Sequence, residues 1–222
     1  MSNIAGKAYA MNVITPSRRR LTWINRLVFM FARQKPDTLG GLLGLSLIHF
    51  ARWVIIKPGD WPDLGQGKQN LKNDYMLFCS NFNGTWDQYI DAFSDGIPSG
   101  LNLFWITASN YPLSIPSTPF KNYITHNQIN NDYYYNATPG SAQRDIKAAI
   151  RVYESVFALQ KAHKEGVEEF AKAYKEELGS IQSYLGEPGF GPVASLSTER
   201  ADINRQQYDG DQPTTPEGIN HA

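Results

Sequence analysis

The stretch Leu45-Ser-Leu-Ile-His-Phe-Ala-Arg-Trp-Val-Ile-Ile56 decides the fold class. It is the strongest strand signal in the chain, rich in β-branched and aromatic residues and closed by Pro58-Gly59. Side chains alternate across a strand. A regular strand therefore puts Leu45, Leu47, His49, Ala51, Trp53 and Ile55 on one face. Ser46, Ile48, Phe50, Arg52, Val54 and Ile56 fall on the other. Both faces are largely apolar, so both sides of the sheet need cover.

Working outward, Tyr75–Phe82 (YMLFCSNF) is the next strand, again apolar on both faces. Asn83-Gly84 ends it, and Thr85 is placed to cap a helix over Trp86–Ser94. Upstream, Ala8–Thr15 reads as a strand closed by Pro16. A helix follows over Arg18–Gln34, with Leu21, Ile24, Leu27, Val28 and Phe31 at helical spacing. Gly40, Gly41 and Gly44 make a flexible connection into the deciding strand.

Downstream, residues 97–128 read as an irregular insertion punctuated by Pro112, Pro116 and Pro119. Leu101–Ile106 reads as a short strand or a buried turn, and Phe120–His126 as a short helix. Asp132–Thr138 (DYYYNAT) reads as a strand, and Ser141 as the cap of a long helix with Ile146, Ala149, Ile150, Tyr153 and Phe157 along its apolar face. Helical pattern resumes over Val167–Leu185, with Gly166 as its weak point. The tail from Gly186 is rich in Gly, Pro, Ser, Thr, Gln and Asp, the composition of a segment disordered on its own.

Strand, helix, strand, strand, helix, insertion, strand, helix is the order of an α+β ferredoxin-like βαββαβ sandwich. We assign residues 1–155 to that domain, 156–185 to a helical extension and 186–222 to the polar tail. Helices in such a domain cover one sheet face, so the second calls for another subunit, a ligand or the chain's own extension. Face-to-face pairing with a second copy is the simplest cover, and a ligand cavity inside the dimer is the sharper version.

His49–Trp53 (HFARW), Met76–Phe93 (MLFCSNFNGTWDQYIDAF), Asp132–Val152 (DYYYNATPGSAQRDIKAAIRV) and the opening Gly6–Pro16 together resemble a poorly characterised bacterial family placed with the dimeric α+β barrels. Some members are labelled peroxidase-like, by analogy with dye-decolourising peroxidases. The resemblance spans residues 6 to about 155. It implies a dimer around a small apolar or planar ligand, with haem a candidate cofactor and oxidoreductase the reaction class. It assigns no catalytic residue, and the haem-ligating His with a distal Asp–Arg pair is not matched.

Among residues with chemistry to offer, we take His49, Arg52, Trp53, Asn81, Asp87 and Tyr135 as the candidate ligand lining. No metal site is expected, except His49 or His126 as ligand if haem binds. Arg52 faces away from His49 on a regular strand, and as a buried cation it needs a carboxylate such as Asp87 or Asp91. Asp87 and Asp91 share a helix face, where they could do acid–base work or simply be solvated. Asn81, Asn83, Thr85 and Asp87 stand at a strand-to-helix junction, and capping and turn formation is the plainer role for them. The tyrosines 133–135 suit packing, and also stacking on a planar ligand.

A second possibility is a non-catalytic subunit of a larger, membrane-associated assembly. Arg18, Arg19, Arg20, Arg26 and Arg33 precede any acidic residue, and Trp23, Phe29 and Met30 add apolar bulk. That is the pattern of a helix on an anionic membrane surface or a partner.

Other classes are argued against. The net charge of zero gives no general attraction to nucleic acid, and no nucleic-acid module surrounds the arginines. One cysteine, Cys79, allows neither an intrachain disulfide nor a cysteine zinc site. The first residues lack the order of a secretory signal, so a cytoplasmic location, at most peripheral to a membrane, is the expectation. No nucleotide-binding loop or nucleophile elbow is present.

Overall fold

A computed structural model describes residues 3–34, 47–67 and 69–182. The glycine connection, the first two residues of the deciding stretch, residues 183–185 and the polar tail with His221 lie outside the described residues. The chain is α+β, with five strands in one antiparallel sheet and six helices among the described residues.

Strand β1 (Ile4–Ala5) turns at Gly6 into β2 (Ala8–Ser17), the long central strand. Gly6 has φ +62, and its Cα lies against the Pro139 carbonyl, so a side chain would collide there. A short 3₁₀ turn, Arg19–Leu21, leads into helix α1 (Thr22–Gln34). Strands β3 (Ile48–Ile56) and β4 (Asp74–Phe82) follow. Then come α2 (Trp86–Gly96), α3 (Pro98–Trp105) and α4 (Ser117–Asn127). The two-residue β5 (Gln128–Ile129) pairs with β2, so the sheet reads β5-β2-β4-β3, with β1 beside the first residues of β2. Helices α5 (Gln143–Glu165) and α6 (Val167–Ile181) form a hairpin broken at Gly166, whose φ of 129 ends the first helix.

Register shows why one face closes. Tyr9, Met11 and Val13 of β2 lie opposite Phe82, Ser80 and Phe78 of β4, which lie opposite Ile48, Ala51 and Trp53 of β3. Helices α2, α3 and α4 pack on this face through Trp86, Tyr89, Ile90, Phe93, Leu101, Phe104, Trp105, Phe120 and Ile124. The rings interlock: Phe82 stacks on Tyr89 at 3.7 Å, and Trp53 lies 4.8 Å from both Phe78 and Phe104. Burying an aromatic ring of this size stabilises by roughly 1.5–3 kcal/mol, and paired rings add to that.

Several expectations are corrected. Strand β2 runs through Pro16 to Ser17, because both stay in register with Tyr75 and Asp74 of β4, and the Pro16 carbonyl accepts from Ser109 N–H. Leu101–Ile106 is neither strand nor buried turn: α3 supplies three core residues. The 97–128 insertion is thus part of the core, since α3 and α4 fill the layer over β2 and β4. Asp132–Thr138 is not a strand. The edge of β2 is instead taken by Gln128–Ile129, and side-chain amides fasten the tyrosine segment. The cap of α5 is Ala142, whose N–H donates to the Asp145 carboxylate at 2.8 Å, rather than Ser141. The boundary placed between 155 and 156 falls inside α5.

Candidate functional site

The opposite face of the sheet is the candidate site. Its rows follow from register: Ala10, Asn81 and Phe50; Ile129, Asn12, Cys79 and Arg52; Ile14, Leu77 and Val54; Pro16, Tyr75 and Ile56. The row count is intact because a β-bulge at His49 resets the alternation of β3. Ile48 consequently joins the core, not the Phe50 face expected for a regular strand.

One end of this face is tied down by amides. Asn12 donates to Asn131 Oδ1 at 2.8 Å, and Asn131 in turn donates to Asn3 Oδ1. Asn81 Nδ2 donates to the Tyr134 hydroxyl at 2.6 Å, and Asn136 donates to the Ala5 carbonyl. Cys79 and Ala10 are buried at this end. Among the described residues the other end has no comparable cover: Val54 is exposed, and Ile14, Leu77, Tyr75 and Ile56 are only half-buried, while Phe50, in the Asn81 row, is exposed as well.

The SNFNGTWD junction organises the tied end. Asn83 is 2% exposed and serves three neighbours at once. It donates to the Lys7 carbonyl at 2.6 Å, accepts from Gln143 N–H at 2.8 Å, and its own N–H donates to the Leu47 carbonyl. Gly84, with φ +93, makes the turn. Thr85 then caps α2, its hydroxyl accepting from Gln88 N–H, with Gln88 returning the bond to Thr85 N–H. The capping role is the one the structure displays.

The six expected lining residues divide between the two sides of the sheet. Arg52 and Asn81 stand on the open face, and Trp53 is part of the aromatic core beneath the other. His49 sits at the bulge against Asn83, and burial lowers its pKa below the ordinary histidine value, partly offset by that contact. Tyr135 is 72% exposed, whereas Tyr134, not selected, turns inward to Asn81. Asp87 lies on α2 and pairs with Lys121 at 3.3 Å, which also holds Asp91 at 2.9 Å. Neither carboxylate is therefore the partner expected for Arg52, which makes no ion pair among the described residues. His126 is exposed at the end of α4, and His163 is exposed on α5 with its ring edge-on to Phe170. Among the described residues no group of three or more His, Cys, Asp or Glu could hold a metal ion.

Two further surfaces are apolar and open. On α5, Ile146, Ile150, Tyr153 and Phe157, the apolar face read from the sequence, point away from α6 and are exposed. An open groove of about 460 Å³ runs along Ser141, Ile146, Ile150 and Tyr153. The hairpin is closed on its other side by Ser155 donating to Glu177 at 2.6 Å. The third surface is the outer side of α1. The asparagines 3, 12, 131 and 136 were missed by sequence reading; the clustering of asparagines over 127–136 was the available signal.

No helix among the described residues is long and apolar enough to cross a membrane. Compared with protein-family models, with curated proteins and with solved structures, the chain has no match.

Proposed function

We propose that this chain is a non-catalytic subunit of a larger assembly, built on a ferredoxin-like sheet whose open face receives a second copy. The order β5-β2-β4-β3, antiparallel throughout and with helices on one side, supports that architecture and the kinship with dimeric α+β barrels. The observation that carries the reading is the open end of the sheet. Among the described residues, no layer comparable to the helices opposite lies over Ile14, Leu77 and Val54, with Pro16, Tyr75 and Ile56 beside them. Contiguous exposed apolar surface marks an interaction site. A twofold pairing gives each copy the same cover that it gives its partner.

Pairing over this face would also enclose Arg52, Cys79 and Asn81. Arg52, a cation without a carboxylate among the described residues, favours a planar ligand bearing an anion within the dimer. Haem is one such ligand. Absorbance titration with haem tests it, and the absence of a Soret band removes it without touching the subunit reading.

Light scattering on the purified chain should give the mass of a dimer or larger. Phe50→Glu/Val54→Glu should lower that mass to a monomer with unchanged circular dichroism. A monomeric wild-type chain, or an assembly indifferent to both charges, would sink the proposal.

A further inference from the structure

Helix α1 is apolar on two sides. Asn25, Val28, Phe29 and Ala32 turn inward, and the last three pack on the core. Trp23, Leu27, Met30 and Phe31 turn outward, with Trp23 61% and Phe31 62% exposed. Their spacing puts them on one side of the helix. Arg26 and Arg33, two turns apart, run along its flank, and Arg20 precedes its first turn. All three are exposed and make no ion pair among the described residues, whereas the neighbouring Arg19 pairs with Asp74 at 3.5 Å. No acidic residue lies in α1.

The outer face is held rigidly. Thr22 donates to the buried Asp74 carboxylate at 2.7 Å, and Asn25 donates to the Phe104 carbonyl at 2.8 Å while accepting from Thr107. These bonds fix the rotation of α1, so its outward side chains are presented, not free to turn in.

We propose that α1 lies on an anionic lipid surface. Trp23, Leu27, Met30 and Phe31 enter the boundary between headgroups and acyl chains, and Arg20, Arg26 and Arg33 meet the lipid phosphates. Tryptophan favours that depth because its ring is apolar and its N–H polar. Arginine can lay its apolar stem along the boundary with its charge in the headgroups. Charge complementarity selects this occupant. A second copy seated on α1 by a twofold axis would bring the same arginines against one another. The proposal extends the subunit reading to another surface, and its failure would leave the sheet-face dimer standing.

The test uses the full chain with vesicles of phosphatidylcholine alone and of phosphatidylcholine mixed with phosphatidylserine. Binding should appear on the acidic vesicles only and weaken with salt. Brominated acyl chains should quench tryptophan emission, and Trp23→Phe should remove that quenching. Arg20→Glu/Arg26→Glu/Arg33→Glu should weaken partitioning by at least about fivefold per arginine removed. No binding, equal binding to neutral vesicles, unchanged binding by the arginine variant, or quenching that persists in Trp23→Phe overturns the proposal. A drop in solution mass for Trp23→Ser/Phe31→Ser would reassign the face to a protein contact. Circular dichroism checks the fold of each variant. Should the arginine variant unfold, quenching in the wild-type chain against Trp23→Phe decides.

Discussion

The two faces of the sheet are made from similar residues and end up in different surroundings. On one, Phe82 lies between Tyr9 and Tyr89, with ring centroids 5.0 and 3.7 Å away, and is 0% exposed. On the other, Phe50 stands beside Asn81 in the same part of the sheet and is 52% exposed. The difference is not hydrophobicity. It is that α2, α3 and α4 connect β4 to β5 over one side only, leaving the asparagines and Tyr134 to fasten one end of the other. The covered face carries the core; among the described residues the other keeps exposed apolar side chains such as Phe50 and Val54.

Truncation of matched rings gives the largest contrast. Phe82→Ala should cost about 3–5 kcal/mol in denaturant unfolding, because the stacked rings around it cannot collapse into the gap. Phe50→Ala, measured on dissociated chains, should stay within about 0.5 kcal/mol. Similar losses at both positions would erase the distinction between the faces.

The amides give the next effect. Asn83→Ala should cost about 1–3 kcal/mol, since it strands the Lys7 carbonyl and the Gln143 N–H that begins α5. Asn81→Ala, which loses one bond to the Tyr134 hydroxyl, should cost about 0.5–1.5 kcal/mol. A reversed order would mean that the tyrosine segment, not the junction, holds that end together.

The smallest effect is a pH dependence at the bulge. Burial lowers the His49 pKa in the folded chain, so the unfolded chain binds its proton first as pH falls. The stability that neutral His49 permits is complete above the unfolded value near 6.5 and declines below it toward the folded pKa. Unfolding curves for His49→Gln should be flatter through that window. An equal slope in both proteins would remove His49 as the source.

Much of the fold is legible in the order of residues. The alternation in β2, β3 and β4, the helical spacing of Trp86, Tyr89, Ile90 and Phe93, and the Thr85 cap are local properties, and local geometry expresses them. Leu101–Ile106, which reads as a short strand or a buried turn, lies largely in a helix, because a short apolar run is ambiguous between strand and buried helix. The tyrosine segment was misread because β-prone residues form a strand only where an edge is free, and β2 there is paired with Ile129 and bonded through Asn131. The site was less legible. Alternation already separates Arg52 from Trp53, but only tertiary packing pairs Asp87 and Asp91 with Lys121 and turns Tyr134 toward Asn81.

By itself the sequence determined that both faces of this sheet are apolar and that its first helix is basic, because composition and periodicity are local. Only the tertiary structure decided which face the helices cover, where the bulge at His49 turns Ile48 inward, and that the apolar sides of α1 and α5 remain exposed. Those outcomes depend on the path of connections between strands, and no short window of residues encodes that path.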